Sequence, residues 1–338
     1  MQKKIYILLF FAIYHSTFAQ VGGKSVFQFL NNASSPRQAA LGGKTITNYD
    51  YDVNQPLFNP ATINDEMHGK LGLNYVNYLA DISYGSAAYA YTYDRHLQTF
   101  HAGITYINYG KFDGRDEMGN STGSFSGSEV ALSLGYAYNV PYTDLYLGAN
   151  AKFISSTLET YNSLGIATDL GAIFKDEKTN TNYGLVIRNL GTQITTYNGM
   201  REKLPLEIIA GVSQELENVP IRWHLTLENL QQWKVAFSNP AREEETIDGG
   251  VQEEKVTFLG NTFRHVILGA EILPTKGINF RLSYNFRRAA ELKLVEQRTF
   301  AGISAGFGLR FSKFRFDYSY SRYTLASSTS QFGLMINL

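Results

Sequence analysis

From residue 69 onward, apolar and polar side chains alternate in runs of about ten residues. The cleanest run covers 278–287. Ile278, Phe280, Leu282, Tyr284 and Phe286 share one face, and Asn279, Arg281, Ser283, Asn285 and Arg287 share the other. A period of two puts the two sets on opposite sides of a strand. Residues 313–321 repeat the pattern, with Phe314, Phe316, Tyr318 and Tyr320 against Lys313, Arg315, Asp317, Ser319 and Ser321. Further runs occupy 130–139, 221–228, 303–311 and 332–338. About fourteen segments result, beginning near Gly69, Tyr84, Gln98, Gly127, Thr143, Tyr161, Thr181, Leu204, Ile221, Phe263, Gly277, Arg298, Lys313 and Thr329.

Alternation alone also fits a soluble sandwich. The connections decide between the two. The odd-numbered ones include the long stretches 111–126, 191–203, 231–262 and 288–297. The even-numbered ones, 95–97, 140–142, 175–180, 217–220, 274–276 and 312–313, are all short. Outer-membrane barrels have an even strand count, short periplasmic turns and longer outer loops. A sandwich has no reason to sort its loops by parity.

The N-terminus agrees with export. Lys3 and Lys4 precede an apolar run over 5–14, and Thr17-Phe18-Ala19 places small residues where a signal peptidase reads. Residues 1–19 read as a signal peptide. The apolar run is about half the roughly twenty residues that a spanning helix needs. Residues 20–66 break the strand pattern with Gly22-Gly23, Gly42-Gly43, Pro36, Pro56 and Pro60. They read either as a disordered arm or as a hatch folded into the lumen. Val26, Phe27, Phe29 and Leu30 are apolar enough to pack and favour the hatch. Residues 67–338 form the barrel. The expected fold is all-β: an antiparallel transmembrane outer-membrane β-barrel of about fourteen strands with an N-terminal hatch.

Composition narrows the chemistry. The chain has no Cys, which removes disulfides, thiolate metal sites and a cysteine nucleophile. Thirty basic residues balance thirty acidic ones, so there is no basic face for nucleic acid. Tyr and Phe supply nearly all of the 14% aromatic content, as barrel girdles require. The inward set includes Lys152, Arg222, Glu228, Glu271, Arg281, Arg287, Arg315 and Asp317. A lumen of mixed charge suits a sealed scaffold better than a greasy tunnel.

Phe29-Leu30, then the run Pro36-Arg37-Gln38-Ala39-Ala40-Leu41-Gly42-Gly43, then Asn59-Pro60-Ala61 resembles the N-terminal signature of FadL-like barrels of the PorV/PorQ group. Gly184, Arg188-Asn189-Leu190-Gly191 and Leu204-Pro205 ahead of Gly211 are similar to the same group. The short length and modest loops resemble its PorQ branch. The resemblance implies a fourteen-stranded barrel with a hatch, built around Arg37, Gly42, Gly43, Asn59 and Pro60. It also implies a non-enzymatic role in the type IX secretion system of Bacteroidetes. There the barrel anchors an attachment complex that joins exported cargo to surface lipopolysaccharide. The implied partners are a large PorZ-like surface protein, other attachment-complex subunits and outer-membrane lipid, with no cofactor. Leu338 departs from the usual terminal aromatic. The alternative is a FadL-like transporter of hydrophobic small molecules.

Read without the resemblance, Arg37 in a hatch either pairs with a lumenal carboxylate such as Asp317, Glu228 or Glu271, or is simply solvated. Gly42-Gly43 permits positive φ or close backbone approach, and Asn59-Pro60 reads as a turn. Motifs for catalysis are weak. Gly302-Ile303-Ser304-Ala305-Gly306 matches a nucleophile elbow but sits in an alternating strand, where that motif needs a strand–turn–helix. His224 and His265 fall on inward faces without a nucleophile in evident reach. Asp113, Asp116, Glu117 and Asn120 lack EF-hand spacing. The candidate partner-binding loop is 231–262, the longest connection. It offers Trp233 and Phe237 as aromatic anchors and Glu243, Glu244 and Glu245 to steer a basic partner; the alternative is that Trp233 belongs to the outer aromatic belt and the glutamates only solvate the loop.

Overall fold

The computed structural model describes residues 25–78, 82–94, 98–236, 244–245, 251–252, 256–292, 300–322 and 328–338. The expected signal peptide, residues 20–24 of the N-terminal segment, Phe237 and Glu243 lie outside the described residues, as do the side chains of Glu244 and Glu245.

The strands are β1 (Lys70–Asn77), β2 (Ser83–Asp94), β3 (Gln98–Arg115), β4 (Ser121–Asn139), β5 (Leu145–Leu158), β6 (Tyr161–Asp176), β7 (Thr181–Thr195), β8 (Glu207–Glu215) and β9 (Ile221–Leu227), followed by the short β10 (Glu244–Glu245) and β11 (Val251–Gln252), and then β12 (Val266–Ile272), β13 (Ile278–Asn285), β14 (Ile303–Phe311), β15 (Phe314–Arg322) and β16 (Ser328–Asn337). All but β10 and β11, which pair with each other, close into one up-and-down barrel of fourteen strands. Closure is through β1 and β16, from Lys70 opposite Asn337 to Asn77 opposite Ser330. Every barrel pairing is antiparallel.

The alternation sets the faces, with the apolar set outside. In β13, Ile278, Phe280, Leu282 and Tyr284 are exposed, while Asn279, Arg281, Ser283 and Asn285 are buried. In β4, Leu132, Leu134 and Tyr138 point out, and Ala131, Ser133 and Ala137 point in. This outward apolar surface is what a bilayer covers, because hydrocarbon offers backbone groups no partners and only closed barrels or helices satisfy their own. Along β4 the outward series Tyr138, Tyr136, Leu134, Leu132, Val130 gives way to Ser128 and Ser126. That span matches the nine to eleven or so residues of a tilted spanning strand.

The wall is uneven. β3 and β4 run 18 and 19 residues, whereas β9 and β12 run 7 each. The stretch 111–126, expected as a long loop, is therefore corrected. Lys111 pairs with Ser126 and Phe112 with Phe125, so the two strands continue beyond the membrane band as a ribbon, and only residues 116–120 turn. Serine, threonine and glycine at 121–127 can extend as well as loop, and no period distinguishes the two. The long connections that remain are 196–206, 228–265 and 286–302. They share one end of the barrel, which the loop-length rule makes the outer end.

Residues 25–66 occupy the lumen. Their apolar side chains are buried: Phe27, Phe29 and Leu30 pack with Ile107, Ile154 and Leu204, and Val53 and Leu57 pack with Met67, Ala88 and Met335. The wall makes room with inward glycines. A Cβ on Gly148 would collide with the Pro60–Ala61 backbone, and one on Gly103 would lie 2.5 Å from Leu57. Glycine inside a strand often marks such an approach of another backbone.

Candidate functional site

The run Pro36–Gly43 encodes one capped helix. α1 (Pro36–Ala40) starts with Ser35, whose side chain accepts from the Gln38 amide, and has Pro36 at the first helical position. It stops at Gly42 and Gly43, with φ of 94° and 92°. The Gly43 amide donates to Gln38 O at 2.8 Å and the Gly42 amide to Ala39 O at 3.1 Å. These two bonds form a Schellman C-cap, which needs the left-handed backbone that glycine adopts without strain. Asn59 caps a second turn, Pro60–Thr62, accepting from the Ala61 amide at 3.1 Å while its Nδ2 donates to Ile46 O at 2.8 Å.

α1 delivers Arg37 to an ionic cluster near the short-turn end. Its Nε and Nη2 donate to Glu271 at 2.9 Å each, and its Nη1 and Nη2 donate to Asp50 at 2.8 and 2.7 Å. One guanidinium thus holds two carboxylates, both bidentate, the strong geometry for this pair. Strand register builds the wall side. Glu271 lies opposite Arg281 on β13 and opposite Arg222 on β9. Arg281 reaches Glu271 at 3.0 Å and Asp317 at 2.6 Å, and Arg315 reaches Asp317 at 3.0 Å. Arg222 bridges Asp50 at 3.1 Å, Glu271 at 3.4 Å and Glu215 at 2.8 Å. The Tyr51 ring lies beside Arg37 and Arg315, 5.7 and 4.9 Å from its centroid.

Burial pushes the Asp50 carboxyl up, but Arg37 and Arg222 outweigh it and hold the group well below the usual carboxylate range. Burial opposes the Arg37 charge as well, yet Asp50 and Glu271 raise its pKa well above the ordinary value. For an acid with a lowered folded pKa, the stabilisation is present above the unfolded value and is lost only as pH falls through the folded one. This latch therefore holds through mildly acidic pH.

A second cluster lies nearer the outer end. Lys44, just past the glycine pair, meets Glu207 at 2.6 Å, and Arg188 meets the same carboxylate at 3.1 Å. Arg188 also donates to Leu30 O at 2.8 Å and lies 3.5 Å from the Phe58 ring centroid. Lys152 pairs with Asp169 at 2.6 Å and donates to Asn189 at 2.9 Å. Asn189 adopts φ 56° and donates its Nδ2 to Pro205 O at 3.0 Å. The stretches around Arg188-Asn189 and Leu204-Pro205 thus meet on the N-terminal segment. Asp50, Lys44, Glu207 and Asp169 were not singled out from the sequence. Glu207 falls on an inward position of β8, a signal that the strand pattern carries.

Other candidates fall elsewhere. Arg287, expected on the lumenal wall, belongs instead to a helical turn, Phe286–Glu291, and pairs with Glu291 at 2.7 Å. Asn285 caps that turn by accepting from the Arg288 amide, so the strand stops one residue short of Phe286. Glu228 is buried just past β9, where its amide donates to His265 O. His224 lies 3.5 Å from Glu271, whereas His265 stacks on Trp233 with centroids 5.6 Å apart, so the two histidines do not share a site. Ser304 sits within β14 and accepts from Arg288 at 2.9 Å. Asp116 binds the Met118 and Asn120 amides of its own turn at 3.0 and 2.8 Å, a tip-stabilising role.

Trp233 is half exposed and fixed. It packs on Phe258, with centroids 5.2 Å apart, and its carbonyl accepts from the Asn261 side chain. With Leu230, Phe258, Leu259 and Phe263 it forms an exposed apolar patch at the outer end, above the shortest strands. Glu244 and Glu245 pair with Gln252 and Val251.

No family model matches the chain, and no curated protein matches it. Solved structures do. A FadL homologue from Pseudomonas aeruginosa aligns with a TM-score of 0.52 at 11% identity, over 94% of this chain and all of that one. The fold is that of a FadL-like outer-membrane barrel. CdiB from Acinetobacter baumannii aligns with a TM-score of 0.36 at 9% identity, over 79% of this chain and 59% of its own. The KdgM porin aligns with a TM-score of 0.29 at 4% identity, over 80% of this chain and 99% of its own.

Proposed function

We propose that this chain is a non-enzymatic outer-membrane component of a type IX secretion system. In this reading it anchors the surface attachment complex that joins exported cargo to lipopolysaccharide. The observation that carries the reading is the lumen: it is filled by residues 25–66 and crossed by two ionic clusters centred on Glu271 and Glu207. A carrier of hydrophobic molecules needs an apolar path, and buried ion pairs at two depths interrupt any such path. A scaffold needs a rigid, sealed barrel and an outer surface that binds. The resemblance of the Pro36–Gly43 run to the PorV/PorQ group adds the system and the partners: a large PorZ-like surface protein and other attachment-complex subunits.

The outer patch around Trp233 is the proposed contact for that partner. It is rigid, aromatic and at the correct end, as interface anchors tend to be. Extraction of the native membrane in mild detergent, followed by capture of the tagged chain, is expected to recover a large surface protein. Trp233→Ala is expected to lower that recovery at least tenfold, since aromatic anchors typically contribute about 2–4 kcal/mol, while the barrel still migrates faster unheated than boiled. Recovery of the barrel alone with bound lipid contradicts the scaffold and favours transport.

A further inference from the structure

The lipid-facing side of β2–β6 carries a depression of about 500 Å³. Small outward side chains make its floor: Ala102 on β3, Ala149 and Ala151 on β5, and Thr168 on β6. Register brings them together. Ala102 and Ala151 both lie opposite Leu134, Ala149 lies opposite Tyr136, and Ala151 lies opposite Thr168. Thr168 turns its hydroxyl onto the strand and donates to Asn150 O at 2.8 Å, so it presents no unpaired donor to hydrocarbon. Rings rise around the floor. Tyr91 and Phe100 are a cross-strand pair, each about half exposed, and Phe100 tilts against Tyr136 with centroids 5.5 Å apart. β13 and β15 have no such gap, because their outward positions from Ile278 to Tyr284 and from Phe314 to Tyr320 are all large.

The depression lies toward the short-turn end. Tyr91 is three residues from the end of β2, Phe100 two from the start of β3, and Tyr136 three from the end of β4. At about 3.3 Å per residue the rings sit roughly 7–10 Å from the strand ends. The loop-length rule turns that end to the periplasm, so the depression opens on the inner leaflet. A polar group stands beside the rings. His68 stacks on Tyr91 with centroids 5.3 Å apart. Its Nδ1 accepts from the Thr92 amide at 3.0 Å, which puts the proton of the neutral ring on Nε2. His68 is exposed, so this N–H is a donor at the rim.

We propose that this depression is a binding site for one phospholipid of the inner leaflet, with an acyl chain on the alanine floor and a phosphate or ester oxygen accepting from His68 Nε2. The volume falls within the roughly 300–1,000 Å³ of small-molecule sites. A folded protein fits it poorly. A stable contact between proteins takes about 800 Å² from each partner, and here the half-exposed rings of Tyr91 and Phe100 hold a flat surface off the floor. Within hydrocarbon, association gains from packing and polar contacts rather than from the hydrophobic effect. A flexible chain can follow the floor between the rings, and a lipid brings its polar oxygens to the depth of His68. Neither a scaffold nor a carrier requires this site, so the inference stands apart from the proposed function.

Native mass spectrometry of the full-length barrel tests it, after extraction from the native membrane and exchange into a second detergent. The wild type is expected to retain one phospholipid per chain. Ala151→Leu, which fills the floor, is expected to lower the retained fraction at least tenfold, and His68→Ala, which removes the donor, at least threefold. Ala305→Leu is the control: it enlarges an outward alanine of β14, between Leu282 and Tyr320, and should leave retention unchanged. Faster migration unheated than boiled shows that each variant has assembled. A wild type that retains no phospholipid, or equal retention in the wild type and Ala151→Leu, overturns the inference. So does recovery of an acylated protein or a second copy of the chain in place of free phospholipid. Retention unchanged in His68→Ala overturns the headgroup contact.

Discussion

Deleting residues 25–66 raises the single-channel conductance of the barrel at least tenfold over wild type in a planar bilayer. Barrels of about eight strands are filled by their own side chains, whereas those of sixteen or more leave an aqueous channel. Fourteen strands lie close to the second class. Here the wall does not fill its own interior, because inward positions facing the segment are often glycine: 72, 103, 135, 148, 184, 211, 269, 306 and 333. What closes the lumen is the segment itself, docked against those glycines. With it removed, Arg222, Arg281 and Glu271 become the lining of a water-filled pore. A deletion that assembles but conducts like the wild type would place the seal elsewhere, in the outer connections.

The second large effect is on stability. Glu271→Ala is expected to cost about 3–5 kcal/mol, the usual range when one member of a buried ion pair is removed. Glu271 is 1% exposed and pairs with Arg37, Arg222 and Arg281, so its loss leaves the buried Arg37 with Asp50 and Asp52 and the buried Arg281 with Asp317 alone, while Arg222 keeps Asp50 and Glu215. Glu291→Ala removes a carboxylate that is one-third exposed from the pair with Arg287, and is expected to cost at most about 1 kcal/mol. Urea unfolding of the reconstituted barrel, followed by loss of its unheated gel mobility, compares the two. Equal losses would mean that the cluster near the short-turn end does not latch the segment.

Much of this was legible in the chain. Period-two alternation located the strands, and all but two of the fourteen began within about three residues of their expected starts. The exceptions are informative. β4 starts at Ser121, ahead of Gly127, because Ser121–Ser126 extend the ribbon without any apolar residue to mark a face except Phe125. β14 starts at Ile303, after Arg298, since the chain first turns through Phe300 and Gly302. The sequence offered Glu271 as one of three lumenal carboxylates for Arg37, and the packing of the segment selects it, with Asp50 added from the segment itself. Asp50 and Lys44 carry no period, because the segment is irregular and only tertiary packing assigns their partners. The inward glycines were visible as a count of 30. Their meaning, room for a second backbone, appears only once the faces are assigned.

The most direct test of the account is a disulfide between the segment and the wall. The Ala40 Cβ lies 2.7 Å from the position a Cβ on Gly306 would take, so a small shift brings two cysteines into bonding range. Ala40→Cys with Gly306→Cys, oxidised in the native membrane and digested, should yield a cross-linked peptide joining 36–43 to β14, while either single variant yields none. Free thiols at both positions in an assembled, heat-modifiable barrel would show that α1 does not sit in the lumen.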